Sequence, residues 1–103
     1  MITEIVEFDL PHDMTREQLI ANYTTTPPGW ANNPDLLRKY YCFDAARGKA
    51  GGVYIWKDRA AALRWHGDAF RAMIRDLYGA EPSMTYLDTL LVVDNESARI
   101  IEP

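Results

Sequence analysis

The side chains able to do chemistry in this chain are few in kind: two histidines, six tyrosines, three tryptophans and one cysteine among 103 residues. His12 and His66 lie too far apart to form a metal-ligand motif, and Cys42 has no second cysteine, so neither a metal cluster nor an internal disulfide is expected. No serine, histidine and aspartate argue for a nucleophilic triad. What remains is acid-base work by one imidazole among phenols. In a dry pocket a histidine can take the proton of a phenolic substrate near neutral pH and leave an electron-rich anion.

His66 is the candidate for that work. On one continuous helix over 59–78, Ala62, Leu63, Ala69, Phe70, Met73, Ile74 and Leu77 fall within about 80° of a common direction, and His66 points along it. Trp65 flanks this stripe. A core histidine satisfied by a carbonyl or a tyrosine fits such a position, and so does a base facing a cavity. Small neighbours at Ala62 and Ala69, tyrosines and a lysine on the opposing strands, and the following Gly67 all favour room beside it.

The other candidates are binding residues. Lys39 reads either as a charge near the site or as an edge lysine that blunts strand pairing. Tyr41, Tyr54 and Tyr86 can donate phenolic hydrogen bonds to a ligand or face a partner subunit. Trp30, in a proline-rich loop, is either a lid or a plug, Trp65 and Phe70 would orient an aromatic ring, and His12 reads either as a residue at a pocket mouth or as a solvated loop histidine. The run Gly48-Lys49-Ala50-Gly51-Gly52 has its lysine before the paired glycines and no serine or threonine after it. A phosphate loop is therefore excluded, as is a dinucleotide fingerprint. The glycines instead let backbone or ligand come close to a strand.

Composition narrows the partners. The net charge is -4, with 15 acidic against 11 basic residues, and the absence of a basic stripe argues against nucleic acid. The longest nearly apolar run, residues 89–93, is far too short for a membrane span, and "MITEIVEF" does not read as a signal peptide. A lone cysteine suits the reducing cytoplasm. One domain over 1–103 is expected.

The elements that must hold these residues follow from periodicity. Residues 2–10 alternate as a strand; Thr15 and Gln18 have capping-box spacing for a short helix; residues 24–35 form a loop; 36–45 and 53–57 read as two strands joined by a hairpin centred near Arg47 and Gly48. That hairpin would set Tyr41 about opposite Tyr54 and Lys39 opposite Trp56. Asp58 caps the long helix and Gly79 ends it. A last strand covers 83–95, with a polar tail beyond. The order is the split βαβ pattern of a ferredoxin-like α+β fold with an antiparallel sheet. Because "LLVV" and "YYCF" are apolar on both sides, the sheet needs a second cover, and a second copy of the chain is expected to provide it.

The segment from Arg38 to Asn95, with "KYY", "AGGVY", a following "W-K-D", "YGAEP" and "VVDN", resembles the YdhR-like monooxygenase family of the dimeric α-β barrel superfamily. The resemblance implies a homodimer whose sheets face each other and a ligand cavity between each sheet and its helices. It implies no built-in cofactor. The axial histidine of the haem-degrading branch would fall near Ile74, and the histidine common in the antibiotic-biosynthesis branch falls at Ala69. His66 lies one turn earlier on the same face. The expected activity is a monooxygenase-like oxidation of a small phenol, quinol or polycyclic aromatic, with His66 as base. A non-catalytic small-molecule binder and a cofactor-free isomerase or cyclase are the alternatives.

Overall fold

The computed structural model describes residues 1–103. Strand β1 (Ile2–Asp9) leads through helices α1 (Arg16–Tyr23) and α2 (Pro27–Trp30) to β2 (Leu36–Asp44) and β3 (Lys49–Trp56). Helices α3 (Arg59–Trp65) and α4 (Asp68–Tyr78) then precede β4 (Ser83–Asp88), β5 (Val92–Asp94) and β6 (Arg99–Ile101). The first four strands form one antiparallel sheet in the order β2-β3-β1-β4, the ferredoxin-like α+β arrangement expected from the element order. No helix is long and apolar enough to cross a membrane.

Local chemistry accounts for the helix ends. Thr15 Oγ1 accepts from the Gln18 amide at 3.1 Å while Gln18 Oε1 accepts from the Thr15 amide at 2.8 Å, the reciprocal pair that satisfies two orphan donors. Asp58 caps α3 through the Ala61 amide at 2.8 Å. Gly79, at φ 75°, closes α4 in the left-handed region where glycine carries no Cβ penalty.

The helices cover one face of the sheet. Ile2, Glu4, Val6 and Phe8 of β1 alternate into that layer and meet Ala50, Tyr54 and Trp56 of β3. Tyr54 and Trp56 therefore lie on the helix side, and Val53 and Ile55 on the other. The opposite face stays apolar: Ile5, Tyr40 and Leu87 are 37%, 48% and 48% exposed there.

Five expectations are corrected. The helix over 59–78 is two helices, because His66 leaves helical geometry (φ -111°, ψ 46°) and Gly67 is extended (φ -84°, ψ -156°). Glycine costs about 1 kcal/mol inside a helix relative to alanine, and Asp68 favours a fresh N-terminus, so the chain breaks here. The stripe breaks with it: Ala62, His66, Phe70 and Ile74 stay buried, but Leu63, Ala69, Met73 and Leu77 are exposed.

Strand β3 starts at Lys49, so the glycine pair lies inside it. The hairpin turn spans 45–48, with Gly48 at φ 61°, and pairs Lys39 with Tyr54 and Tyr41 with Gly52. That register differs by two residues from the expected one, and a two-residue slip keeps every side chain on its face. The proline-rich loop contains a helical turn, α2, with Pro27 and Pro28 in its first positions, where a missing amide costs nothing. The last strand ends at Asp88, and the supposed polar tail returns as β6 to pair with β5 in a separate hairpin.

Candidate functional site

The glycine pair shapes one wall of the site. A Cβ on Gly51 would come within 1.8 Å of the Val6 carbonyl oxygen, and one on Gly52 within 2.4 Å of that of Tyr40. Backbone from both neighbouring strands is what approaches here, so the glycines serve the sheet itself. Tyr23, at the end of α1, exploits the same spot. Its hydroxyl accepts from the Gly51 amide at 3.0 Å and lies 2.9 and 3.0 Å from the carbonyls of Cys42 and Gly51, one of which takes its proton. Burial pushes the Tyr23 phenol up to about 12, so it stays protonated at neutral pH.

Between this sheet region and the helices α1, α2 and α4 lies a cavity of about 50 Å³. Its walls bring together Trp30, Lys39, Tyr41, Tyr54 and Phe70 among the residues named from sequence, and add Tyr23, Asn22, Thr26 and Tyr78. Tyr41 is fixed by a hydrogen bond between its hydroxyl and Thr26 Oγ1. Burial, and secondarily the charge of Glu4, raises the Tyr54 phenol far above the ordinary tyrosine range. Phenolic donors and apolar ring faces thus line the space, and no carboxylate does.

Lys39 projects into this aromatic setting. Its Nζ lies 4.0 Å from the ring centre of Tyr41, 4.6 Å from Trp30 and 4.7 Å from Tyr54. Burial lowers its ammonium to about 7, whereas the ring faces favour the charged form. Amine and ammonium are therefore both accessible near neutral pH.

His66 lies just behind the wall. Its ring stacks on Phe70 at 3.8 Å between centroids and meets Tyr54, Trp56 and Trp30 edge-on at 4.4, 5.2 and 5.6 Å. Nδ1 comes 2.7 Å from Glu4 Oε1, with both side chains fully buried. Trp56 Nε1 donates to the same oxygen at 2.8 Å. Neither imidazole nitrogen makes an aligned hydrogen bond, and Glu4 Oε2 has no partner. His66 does not line the cavity; Phe70, Tyr54 and Trp30, which do, pack against its ring.

Two further sequence candidates lie elsewhere. Trp65 is exposed and donates to Asp35 Oδ2 at 3.0 Å. Asp35 also receives Lys57 at 2.7 Å and Arg64 at 2.8 Å, which hold its carboxyl well below the usual carboxylate range. Tyr86 sits on β4, two strands from β3, where it pairs in register with Glu4 and its hydroxyl contacts Met84 Sδ at 3.3 Å. Burial and the Glu4 charge push its phenol to about 12.

Glu4, Tyr23 and Tyr78 escaped the sequence reading as site residues. Glu4 carried a signal: it occupies the apolar phase of the alternation Ile2, Val6, Phe8, where a carboxylate must find buried partners.

No protein-family model matches the chain, and no curated protein does. Several solved structures share its fold. A variant of SnoaB, a cofactor-independent oxygenase from Streptomyces nogalater, superposes with a TM-score of 0.65 at 12% identity, over 91% of this chain and 97% of that one. A structure described as an antibiotic biosynthesis monooxygenase gives 0.66 at 15% identity, over 86% and 98%. The monooxygenase from the ActVA-Orf6 gene of Streptomyces coelicolor, in complex with nanaomycin D, gives 0.64 at 16% identity, over 85% and 86%.

Proposed function

We propose that the chain is a monooxygenase-like oxidoreductase of the YdhR-like kind that acts on a small phenol or quinol held between the helices and the sheet. The observation that carries this reading is the cavity walled by Trp30, Tyr41, Tyr54 and Phe70 with one amine and no acid. The fold, shared with the oxygenases above, agrees with it. The reading asks for no resident cofactor. The substrate supplies the electrons: the phenolic O–H and a para ring C–H of one phenol, with one O₂, yield the quinone and one water. The chain's part is to take the phenolic proton, orient the ring and exclude water.

Two groups can take that proton. Lys39 reaches the cavity as the structure stands, whereas His66, with Glu4 behind it, would face substrate only after one of the rings packed on it, Phe70, Tyr54 or Trp30, moves aside. Oxygen uptake with a panel of one-ring quinols and anthrones tests the reading, using Lys39→Met and His66→Leu beside the unaltered protein. Uptake with at least one substrate, lost in one of the variants, is expected; no uptake with any would refute it.

The working unit is a homodimer. Ile5, Tyr40 and Leu87 are exposed on the uncovered sheet face, and Tyr40, with Thr3 and Ile55 of that face, meets Val92, Val93 and Ile101 of the β5–β6 hairpin around a trough of about 840 Å³. An apolar face of this kind calls for a second sheet. Leu87→Asp is expected to give a monomer in sedimentation; an unaltered mass would exclude this face.

A further inference from the structure

The residue the reaction scheme leaves least explained is Lys39. It lies on the edge strand β2, yet its side chain turns to the helix side opposite Tyr54. No carboxylate comes within ion-pair distance of it. An edge lysine that only discouraged strand pairing would extend into water. This one is half-buried and boxed by three rings.

The groups facing it are the phenols of Tyr41 on β2 and Tyr54 on β3, the indole of Trp30 on α2 and, across the cavity, Tyr23 on α1 and Tyr78 on α4. Ring faces attract a cation by about 0.5–2 kcal/mol each, but none of them cancels its charge. A half-buried ammonium without an anion is stabilised strongly by any ligand that brings one. The space offered is also small. At about 50 Å³ it is well below the 300–1,000 Å³ of sites for drug-sized molecules. It is also about a third of the ~150 Å³ cavity that holds one benzene ring, so a single ring enters with a small shift of the walls and a fused ring system only with a large one.

We propose that Lys39 receives the acidic hydroxyl of the substrate, so that the cavity selects one-ring phenols and holds them as phenolates paired with the Lys39 ammonium. The step balances as a proton transfer: the substrate O–H bond breaks, an N–H bond forms on Nζ, and no electron moves. Because the amine is lowered to about 7 by burial, it can accept that proton near neutral pH. The proposal rests on the cavity being the substrate site and is independent of whether oxygen then reacts.

The experiment uses 4-nitrophenol, whose phenolate is yellow, and 4-nitroanisole, a close relative that cannot ionise. Both are titrated into the intact protein without regard to oxygen, at a pH where free nitrophenol is mostly colourless. The expected result is at least about tenfold tighter binding of nitrophenol, with the bound form yellow. Lys39→Met should abolish the colour and bring the two affinities together, while Lys39→Arg should keep the preference; unchanged circular dichroism of both variants secures the comparison. Equal affinities for the two probes, or colour that survives in Lys39→Met, overturn the role of Lys39 alone. Binding of neither probe overturns the cavity reading and this proposal with it.

Discussion

Replacing Glu4 and His66, singly and together, separates a core pair from a catalytic base. In the folded chain one carboxylate oxygen accepts from Trp56 Nε1 at 2.8 Å and lies 2.7 Å from His66 Nδ1, in a space closed to solvent. Each buried polar group left without its partner costs about 1–3 kcal/mol. Glu4→Leu leaves the Trp56 N–H without an acceptor and the imidazole without its neighbouring carboxylate; His66→Leu leaves the carboxylate with Trp56 alone. The double variant strands only the indole N–H, worth about 1–3 kcal/mol. The two single losses should therefore exceed the double loss by about 2 kcal/mol or more, a coupling well above the ~0.5 kcal/mol scatter of independent sites. Urea unfolding at fixed protein concentration measures all four species. Losses that add within that scatter would refute the pairing and return His66 to a role defined by substrate.

Three other outcomes are expected. Gly51→Ala should lose more than about 4 kcal/mol or fail to fold, since its Cβ would meet the Val6 carbonyl at 1.8 Å and φ is 153°; Gly29→Ala, with open space around it, should match the parent in thermal melts. Lys39 has its folded pKa lowered to about 7 from 10.5, so the unfolded chain binds more protons between those values and stability should rise with pH from about 7 toward 10; urea midpoints across that range should show a rise that Lys39→Met lacks. Above that range the raised phenols of Tyr23 and Tyr86 act in the opposite sense, because the unfolded tyrosines ionise first. Asp35→Asn should cost only about 1 kcal/mol or less, because its cationic partners are exposed, yet it should shift Trp65 fluorescence by weakening the indole bond; an unchanged spectrum would dispute that bond.

The parts of this fold that were legible in sequence are those set by local chemistry. The Thr15–Gln18 box, the Asp58 cap and the Gly79 stop each need only neighbouring residues, and each stands where its spacing put it. The facing of Lys39, Tyr41 and Tyr54 survived a two-residue error in the turn because strand parity has a period of two. What failed depended on distant contacts. Periodicity runs straight through His66-Gly67; Gly67 and Asp68 permit a break there, and the packing of His66 against Glu4 and Phe70 goes with it. Likewise 83–95 reads as one apolar run, but the chain turns at Thr89, whose amide bonds the Met1 carbonyl at 3.0 Å and whose hydroxyl meets that of Thr3 at 2.7 Å. At the site, cavity size and the enclosure of His66 depend on where Trp30 lands, and a residue in a proline-rich loop carries no period to reveal it.

The Tyr23 hydroxyl, placed between Gly51 and Cys42, makes a helix side chain part of the seam between two strands. Detachment of α1 would therefore unzip β2 from β3 at that rung, and the two openings should share one free energy. The Gly51 amide becomes a built-in reporter: its deuterium exchange should run at the pace of α1 departure and speed up when Tyr23 is shortened to phenylalanine. Since Lys39 and Tyr41 ride on β2, the lifetime of the binding wall would then be set by a helix that contributes little else to it.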